Sequence, residues 1–207
     1  MKTAIIGLGN MGKGLAKRLA GKTDLILAAR DKNAAASFAT TLGGTSAASI
    51  DEAVAAADII ILALPYGAAL ESASWPALDG KIVVDISNPV KADFSGLSLG
   101  HTTSAAEEIQ LAAKGAKVVK AFNTIFAGLF DAPTNATAQV PVFLAGNDKA
   151  AVDAVAALVG KAGFATEKTG GLDAARLLEP LGMLNIRFGY GLGRGTAIAP
   201  NWVAIAV

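Results

Sequence analysis

The residues best suited to chemistry open the chain. Gly7-Leu8-Gly9-Asn10-Met11-Gly12 is a G-x-G-x-x-G turn. It follows the apolar run Lys2–Ile6, which reads as a buried strand. It precedes a helical pattern in which Met11, Leu15 and Leu19, spaced by four, share one face. Each glycine has a separate physical task. Gly7 permits the tight turn, Gly9 lets the backbone approach a pyrophosphate, and Gly12 lets the helix pack closely on the strand. The helix N-terminus adds unpaired N–H groups and the positive end of its dipole. The chemistry implied is capture of the phosphates of a dinucleotide.

A second apolar run, Leu25–Ala29, ends in Arg30, eighteen residues after Gly12 and two before Lys32. NAD sites place an Asp or Glu near this point to accept from the ribose 2′-hydroxyl. A guanidinium suits a 2′-phosphate instead, through bidentate charge-assisted hydrogen bonds. Arg30 and Lys32 therefore favour NADP(H). Asp31 leaves a second arrangement open, in which a carboxylate reaches the ribose, and all three residues also fit a plain solvated helix start.

The elements needed to position these residues follow in alternation. Helical stretches are expected at Asn33–Leu42 (stopped by Gly43-Gly44), from a Ser49/Glu52 capping box to Ala57, and over Gly67–Trp75, Thr103–Ala113 and Asp148–Val159. Strands are expected at Asp58–Leu64, Lys81–Asp85, Ala116–Ala121, Pro141–Ala145 and Phe164–Lys168. A polar loop is expected to about Gly100, and another over Ala132–Gln139. After Gly170 the pattern predicts a helix interrupted or restarted at Pro180, then the glycine-rich turn Gly189–Gly195 and an apolar tail, Trp202–Val207. Asp58–Leu64 is the strongest strand, a continuous apolar run as in a parallel sheet covered on both faces. The expectation is an α/β fold with one Rossmann-type, doubly wound parallel sheet. It divides into a dinucleotide-binding domain, 1–170, and a short C-terminal helix and tail, 171–207.

Bulk properties narrow the class. The 207 residues are 53% hydrophobic and only 17% charged, below the usual quarter. Much of the apolar count is alanine, and no apolar run is long enough to span a bilayer. The net charge of +1, without a basic cluster, argues against nucleic acid. With no cysteine, disulfides, thiolate metal sites and a cysteine nucleophile are excluded. The start of the chain has no signal-peptide pattern. A soluble, cytoplasmic protein is expected, with neither membrane nor nucleic acid as partner.

In doubly wound sheets ligands lie outside the carboxyl ends of the strands. Those ends carry Gly7–Gly12, Arg30, Leu64-Pro65-Tyr66, Ser87-Asn88-Pro89 and Phe122-Asn123-Thr124. Four segments, Gly7–Gly12, Asp85–Pro89, Val119–Thr124 and Ala145–Asp148, resemble the NADP-dependent deazaflavin-coenzyme (F420) oxidoreductases. They are similar also to the reductase domain of the six-transmembrane metalloreductases. The resemblance spans nearly the whole chain and extends to Arg176–Glu179 and Leu184–Phe188.

It implies hydride transfer between NADP(H) and a flavin-like ring, the acceptor being FAD, FMN or the deazaflavin coenzyme. It implies that Gly7, Leu8, Gly9, Asn10, Met11 and Gly12 hold the pyrophosphate and adjacent ribose, with Arg30 and Lys32 at the adenosine phosphate. Leu64, Pro65, Asn88 and Pro89 would line the nicotinamide half, with Tyr66 near its ribose or filling a gap beside Pro65. Asn123 stands where the deazaflavin enzymes carry a histidine and matches the metalloreductase form, which uses an ordinary flavin. The alternatives are an NADP-dependent dehydrogenase or imine reductase on a small substrate, and a non-catalytic NADP(H) sensor.

Hydride transfer between stacked rings needs positioning more than acid–base groups, so no catalytic side chain and no metal ligand is assigned. His101, the only histidine, and the Glu107/Glu108 pair read as surface groups. Asp85 reads as a loop-bonding residue, and Trp75 and Trp202 as packing. The apolar tail, costly to expose, predicts a homodimer.

Overall fold

The computed structural model describes every residue except Gly44, Ala204, Ala206 and Val207, so part of the expected Gly43-Gly44 stop and of the apolar tail lies outside the described residues. The first unit forms as its periodicity requires, with β1 (Thr3–Ile6), α1 (Asn10–Leu19) and β2 (Leu25–Ala28) in succession. Next come α2 (Lys32–Thr41), a two-residue β3 (Ser46–Ala47), α3 (Ile50–Ala56) and β4 (Ile59–Leu62). The Ser49/Glu52 capping box forms, satisfying two N–H groups at the start of α3. Then follow α4 (Tyr66–Ser72), β5 (Ile82–Asp85), α5 (Ala105–Ala112) and β6 (Lys117–Lys120). The last are α6 (Thr134–Thr137), β7 (Pro141–Gly146), α7 (Lys149–Lys161), β8 (Ala165–Lys168) and α8 (Ala175–Ile186).

The strands form one sheet in the order β3-β2-β1-β4-β5-β6-β7-β8. Alternate residues of the central strands enter two separate cores. Ile5, Ile61, Val84 and Val119 pack with α1 and α7. Ile6, Ile60, Leu62 and Val83 pack with α3, α4 and α5. Burial on both faces explains why these strands read as unbroken apolar runs.

Four features depart from the sequence expectation. First, the sheet is parallel through β6, but β7 runs antiparallel to β6, with β8 parallel to β7. A parallel β7 would need a crossover helix back to the amino ends of the strands. The connection from Ala121 to Val140 holds only a 3₁₀ turn at Ala127–Asp131 and the four-residue α6, and the chain enters β7 from beyond the carboxyl end of β6. Second, the stretch expected to be loop over Ala132–Gln139 therefore contains a helical turn. Third, β3 pairs too briefly with β2 to leave a sequence pattern. Fourth, α8 runs through Pro180 without a break and ends in a π-turn, Arg187–Gly191. Proline removes one helical N–H, and the tertiary contacts of α8 described below outweigh that loss.

No helix of the described residues is long and apolar enough to cross a membrane. In the tail, Trp202 sets its ring edge-on to Phe143 at 5.2 Å yet stays 70% exposed, and Val203 and Ile205 are more exposed still.

Candidate active site

The glycine turn takes the geometry its spacing implies. Gly7 has φ +99°, closed to most side chains, and its N–H donates to the Ala28 carbonyl at 2.9 Å. A Cβ on Gly12 would stand 2.0 Å from the Gly7 carbonyl oxygen, so Gly12 is what lets α1 meet β1. Gly9 differs. It is exposed, caps α1 with φ −71°, and a Cβ there would meet nothing within 4 Å. The space above Gly9 is open, as a pyrophosphate on the helix N-terminus would require.

Gly7, Leu8 and Gly9 form one wall of a cleft of about 840 Å³ that also takes in Lys13, Arg30, Asp31, Leu64 and Pro65. Its far wall is one face of the segment that starts at α4, carrying Ala68, Glu71, Ser72 and Trp75. Trp75 packs against the core, as expected, and also borders this cleft. Arg30 is exposed at the end of β2. Beside it Asp31 caps α2, accepting from the Ala34 N–H at 2.9 Å. The Asp31 carboxylate thus has a local task that Arg30 lacks.

Asn10 and Met11 border a second cavity of about 250 Å³, with Asn88, Asn123, Gly182 and Asn185. Asn88 Nδ2 donates to the Asn123 carbonyl at 2.8 Å, and Asn123 Nδ2 donates to Asn88 Oδ1 at 2.9 Å and to the Leu178 carbonyl at 3.0 Å. Ile186 and Tyr190 join this cavity to a third, of about 700 Å³, lined by Phe94, Ser95, Met183, Arg187 and Gly191. Of the residues expected at the site, Gly12, Lys32, Tyr66 and Pro89 border none of these spaces. Gly12 and Pro89 are buried behind them, and Lys32 is exposed at the first turn of α2. Tyr66 opens α4, its hydroxyl pushed above the ordinary phenol value by burial and by the negative charge of Glu108, Glu179 and Asp85.

Sequence reading passed over the charged cluster beneath the site. Lys120 Nζ, fully buried, donates to Asp85 Oδ2 at 2.7 Å, Glu179 Oε1 at 2.8 Å and the Ser87 carbonyl at 2.6 Å. Asp85 does bond its loop, as expected, accepting from the Ser87 N–H at 2.9 Å, but it is also a member of this buried ion triad. The one legible signal was a lysine closing an apolar strand. Glu107, read as a surface group, is tied by Arg176 at 2.6 and 2.9 Å. His101 is exposed, at φ +61°.

Burial pushes the Glu179 carboxyl above its ordinary 4.5, against the opposing pull of Lys120. A carboxyl raised in the folded state contributes stability that is complete below its unfolded value and is lost as pH rises through the folded one. Unfolding free energy, followed by urea titration from pH 4.5 upward, is expected to carry a falling contribution from Glu179. The Glu179→Gln chain is expected to lack that slope.

Residues 2–89 match the family model described as NADP oxidoreductase, coenzyme F420-dependent. The F420-dependent NADP reductase of Methanocaldococcus jannaschii is 30% identical over 199 residues, covering 87% of this chain and 89% of the relative. Among solved structures, a proposed F420-dependent NADP-reductase from Arthrobacter sp. FB24 superposes with a TM-score of 0.83 at 31% identity, over 95% of this chain and 96% of that one. A hypothetical protein from Sinorhizobium meliloti does so with a TM-score of 0.76 at 34% identity, over 84% and 88% of the two chains.

Proposed function

The chain belongs to the coenzyme F420-dependent NADP oxidoreductase family, and from that premise we propose that it transfers hydride between NADP(H) and a flavin or deazaflavin ring. The observation that carries this reading is the line of three cavities. Arg30 and Gly9 border the first, the next residues Asn10 and Met11 border the second together with Asn88 and Asn123, and Ile186 and Tyr190 are shared by the second and the third, at the C-terminal π-turn. That order matches an extended dinucleotide with its adenosine at Arg30 and its nicotinamide beside Asn88, and with a second ring entering from Tyr190.

In this reading Gly7 to Met11 hold the pyrophosphate and its ribose, and Asn88 and Asn123 border the nicotinamide half; Leu64 and Pro65, expected there too, instead line the cleft they share with Arg30. Gly12, Tyr66 and Pro89 act from behind as supports, and Lys32 adds positive charge near Arg30. The cofactor, when bound, supplies or accepts the hydride. The chain's own residues bind, orient and exclude water, and no side chain need exchange a proton with the ring. Asn123 gives no imidazole to an acceptor, which favours an ordinary flavin beside the deazaflavin as a candidate. Residues 171–207 complete the acceptor end, and the exposed Trp202, Val203 and Ile205 are proposed to pack in a homodimer. A monomer in sedimentation at micromolar concentration would contradict that pairing.

The deciding experiment is NADPH oxidation with FMN, FAD, riboflavin and a deazaflavin supplied in turn, beside NADH controls. Rapid turnover with one ring and preference for NADPH establish the reading and name the acceptor. Tight NADPH binding without turnover on any ring would turn the assignment to a small-molecule dehydrogenase or a sensor. Arg30→Ala is expected to weaken NADPH about tenfold, the loss of one charge-assisted contact, while leaving NADH nearly unaffected. Equal losses for both cofactors would remove the 2′-phosphate from Arg30.

A further inference from the structure

The Lys120 triad is placed where it can control the ring cavity without touching it. Taking charges out of water carries a large penalty for each ion, and well-packed apolar groups of similar volume often serve stability as well or better. A buried triad with one ammonium and two carboxylates is therefore poorly explained by stability, and its connections suggest what else it does.

Asp85 accepts from the Ser87 N–H and Lys120 donates to the Ser87 carbonyl, so both sides of Ser87 are held one residue before Asn88. On α8, Leu178 accepts from Asn123, and the next residue, Glu179, accepts from Lys120. Glu179 also accepts from the N–H groups of Ala105 and Ala106 at 3.0 and 3.3 Å, in the first turn of α5. One turn further along α8, a Cβ on Gly182 would lie 2.9 Å from Asn88 Oδ1, so helix and asparagine are already in contact. Asn185 then donates to the Thr124 carbonyl at 3.0 Å. The residues so fixed are Asn88, Asn123, Gly182 and Asn185, which border the 250 Å³ cavity. All are tied, directly or through one neighbour, to the loops that Lys120 joins.

We propose that Lys120, acting through Asp85 and Glu179, is a positioning residue that holds the Asn88 turn and α8 at a set separation, and with it the distance over which hydride moves. The inference rests on the hydride-transfer reading above. An error in placement of about 1 Å can cost a hundredfold in rate, so a small widening of this cavity would be visible.

The test compares wild type with Glu179→Gln and Lys120→Met in single-turnover reduction of the ring acceptor, using NADPH and NADPH deuterated at C4. Lys120→Met leaves two buried carboxylates without a counter-charge and can fail to fold. Glu179→Gln keeps the size of the side chain and leaves Lys120 balanced by Asp85, so the test does not depend on the first variant. Glu179→Gln is expected to bind NADPH as wild type does, because the adenosine end is remote. Its transfer step is expected to slow about tenfold or more, with an altered primary isotope effect. That ratio is independent of the active fraction, so partial unfolding does not move it. A wild-type isotope effect and rate per bound NADPH in every variant that folds would overturn the proposal and leave the triad a packing element. A wild-type protein that binds NADPH but reduces no ring would instead bring down the hydride-transfer reading, and this proposal with it.

Discussion

Gly9→Ala is expected to fold as the wild-type chain does and to bind NADPH at least about tenfold more weakly, a loss of about 1.4 kcal/mol. Gly12→Ala, three residues away, is expected to damage the fold itself. The contrast follows from what a Cβ would meet. At Gly9 φ is −71° and nothing lies within 4 Å, so alanine adds no strain and its cost as a helix cap is below about 1 kcal/mol. The methyl group would, however, occupy the space proposed for the pyrophosphate. At Gly12 the nearest atom is the Gly7 carbonyl oxygen at 2.0 Å, backbone of the turn itself, which cannot rotate away as a side chain would. Overpacking of this kind usually costs about 1–3 kcal/mol and more where nothing yields; about 3–5 kcal/mol is expected here. Urea unfolding and NADPH fluorescence titration on both chains separate the two effects. Unchanged NADPH affinity in Gly9→Ala would mean that no phosphate sits above Gly9, and the dinucleotide assignment of the cleft would fail.

Arg18→Met is expected to lower unfolding free energy by about 3–5 kcal/mol, read as a fall in urea midpoint with little change of slope. Arg18 is 6% exposed near the end of α1. Its Nε donates to the Phe130 carbonyl at 2.7 Å, and its two terminal nitrogens donate to the carbonyls of Leu129, Ala132 and Ala162 and to Thr137 Oγ1. The guanidinium also lies over the Phe164 ring, 5.3 Å from its centroid. Methionine fills much of the stem's volume but leaves these buried acceptors without their donor, each worth about 1–3 kcal/mol and not additive. The site is remote from the cleft, so NADPH affinity of the folded fraction should stay at the wild-type value. A loss below about 1 kcal/mol would show that water replaces the guanidinium, and that the Ala121–Val140 connection does not depend on α1.

How much of this was legible beforehand differs residue by residue. The strand, glycine turn and helix of the first unit are local: apolar periodicity sets the elements, and the demand on Gly12 arises within six residues of chain, whereas Gly7 answers both to its own positive φ and to Ala63 at the end of the neighbouring strand. Arg30 at the end of β2, the Ser49/Glu52 box and the two-faced central strands are equally short-range, and all appear where their patterns placed them. The same holds for the segments that end β1, β2, β4, β5 and β6, because parallel strands bring their carboxyl ends to one edge whatever the loops contain; Ala145–Asp148, ending the reversed β7, falls instead at the opposite edge, where Asp148 pairs with Lys117.

Only the tertiary structure decided the rest. Asp85 and Lys120 are 35 residues apart and Glu179 lies 59 beyond Lys120, so no periodicity or spacing joins them. Arg18 bonds mostly backbone carbonyls, 111 to 144 residues away, and a carbonyl has no signature in a sequence. The reversal of β7 depends on where the Ala121–Val140 connection runs, and the passage of α8 through Pro180 depends on contacts made by Glu179, Gly182 and Asn185. Local preference determined the glycine turn and the strand ends that are proposed to hold the dinucleotide. Long-range pairing of buried polar groups, which must be satisfied wherever the chain brings them, determined how the pocket beside it is held.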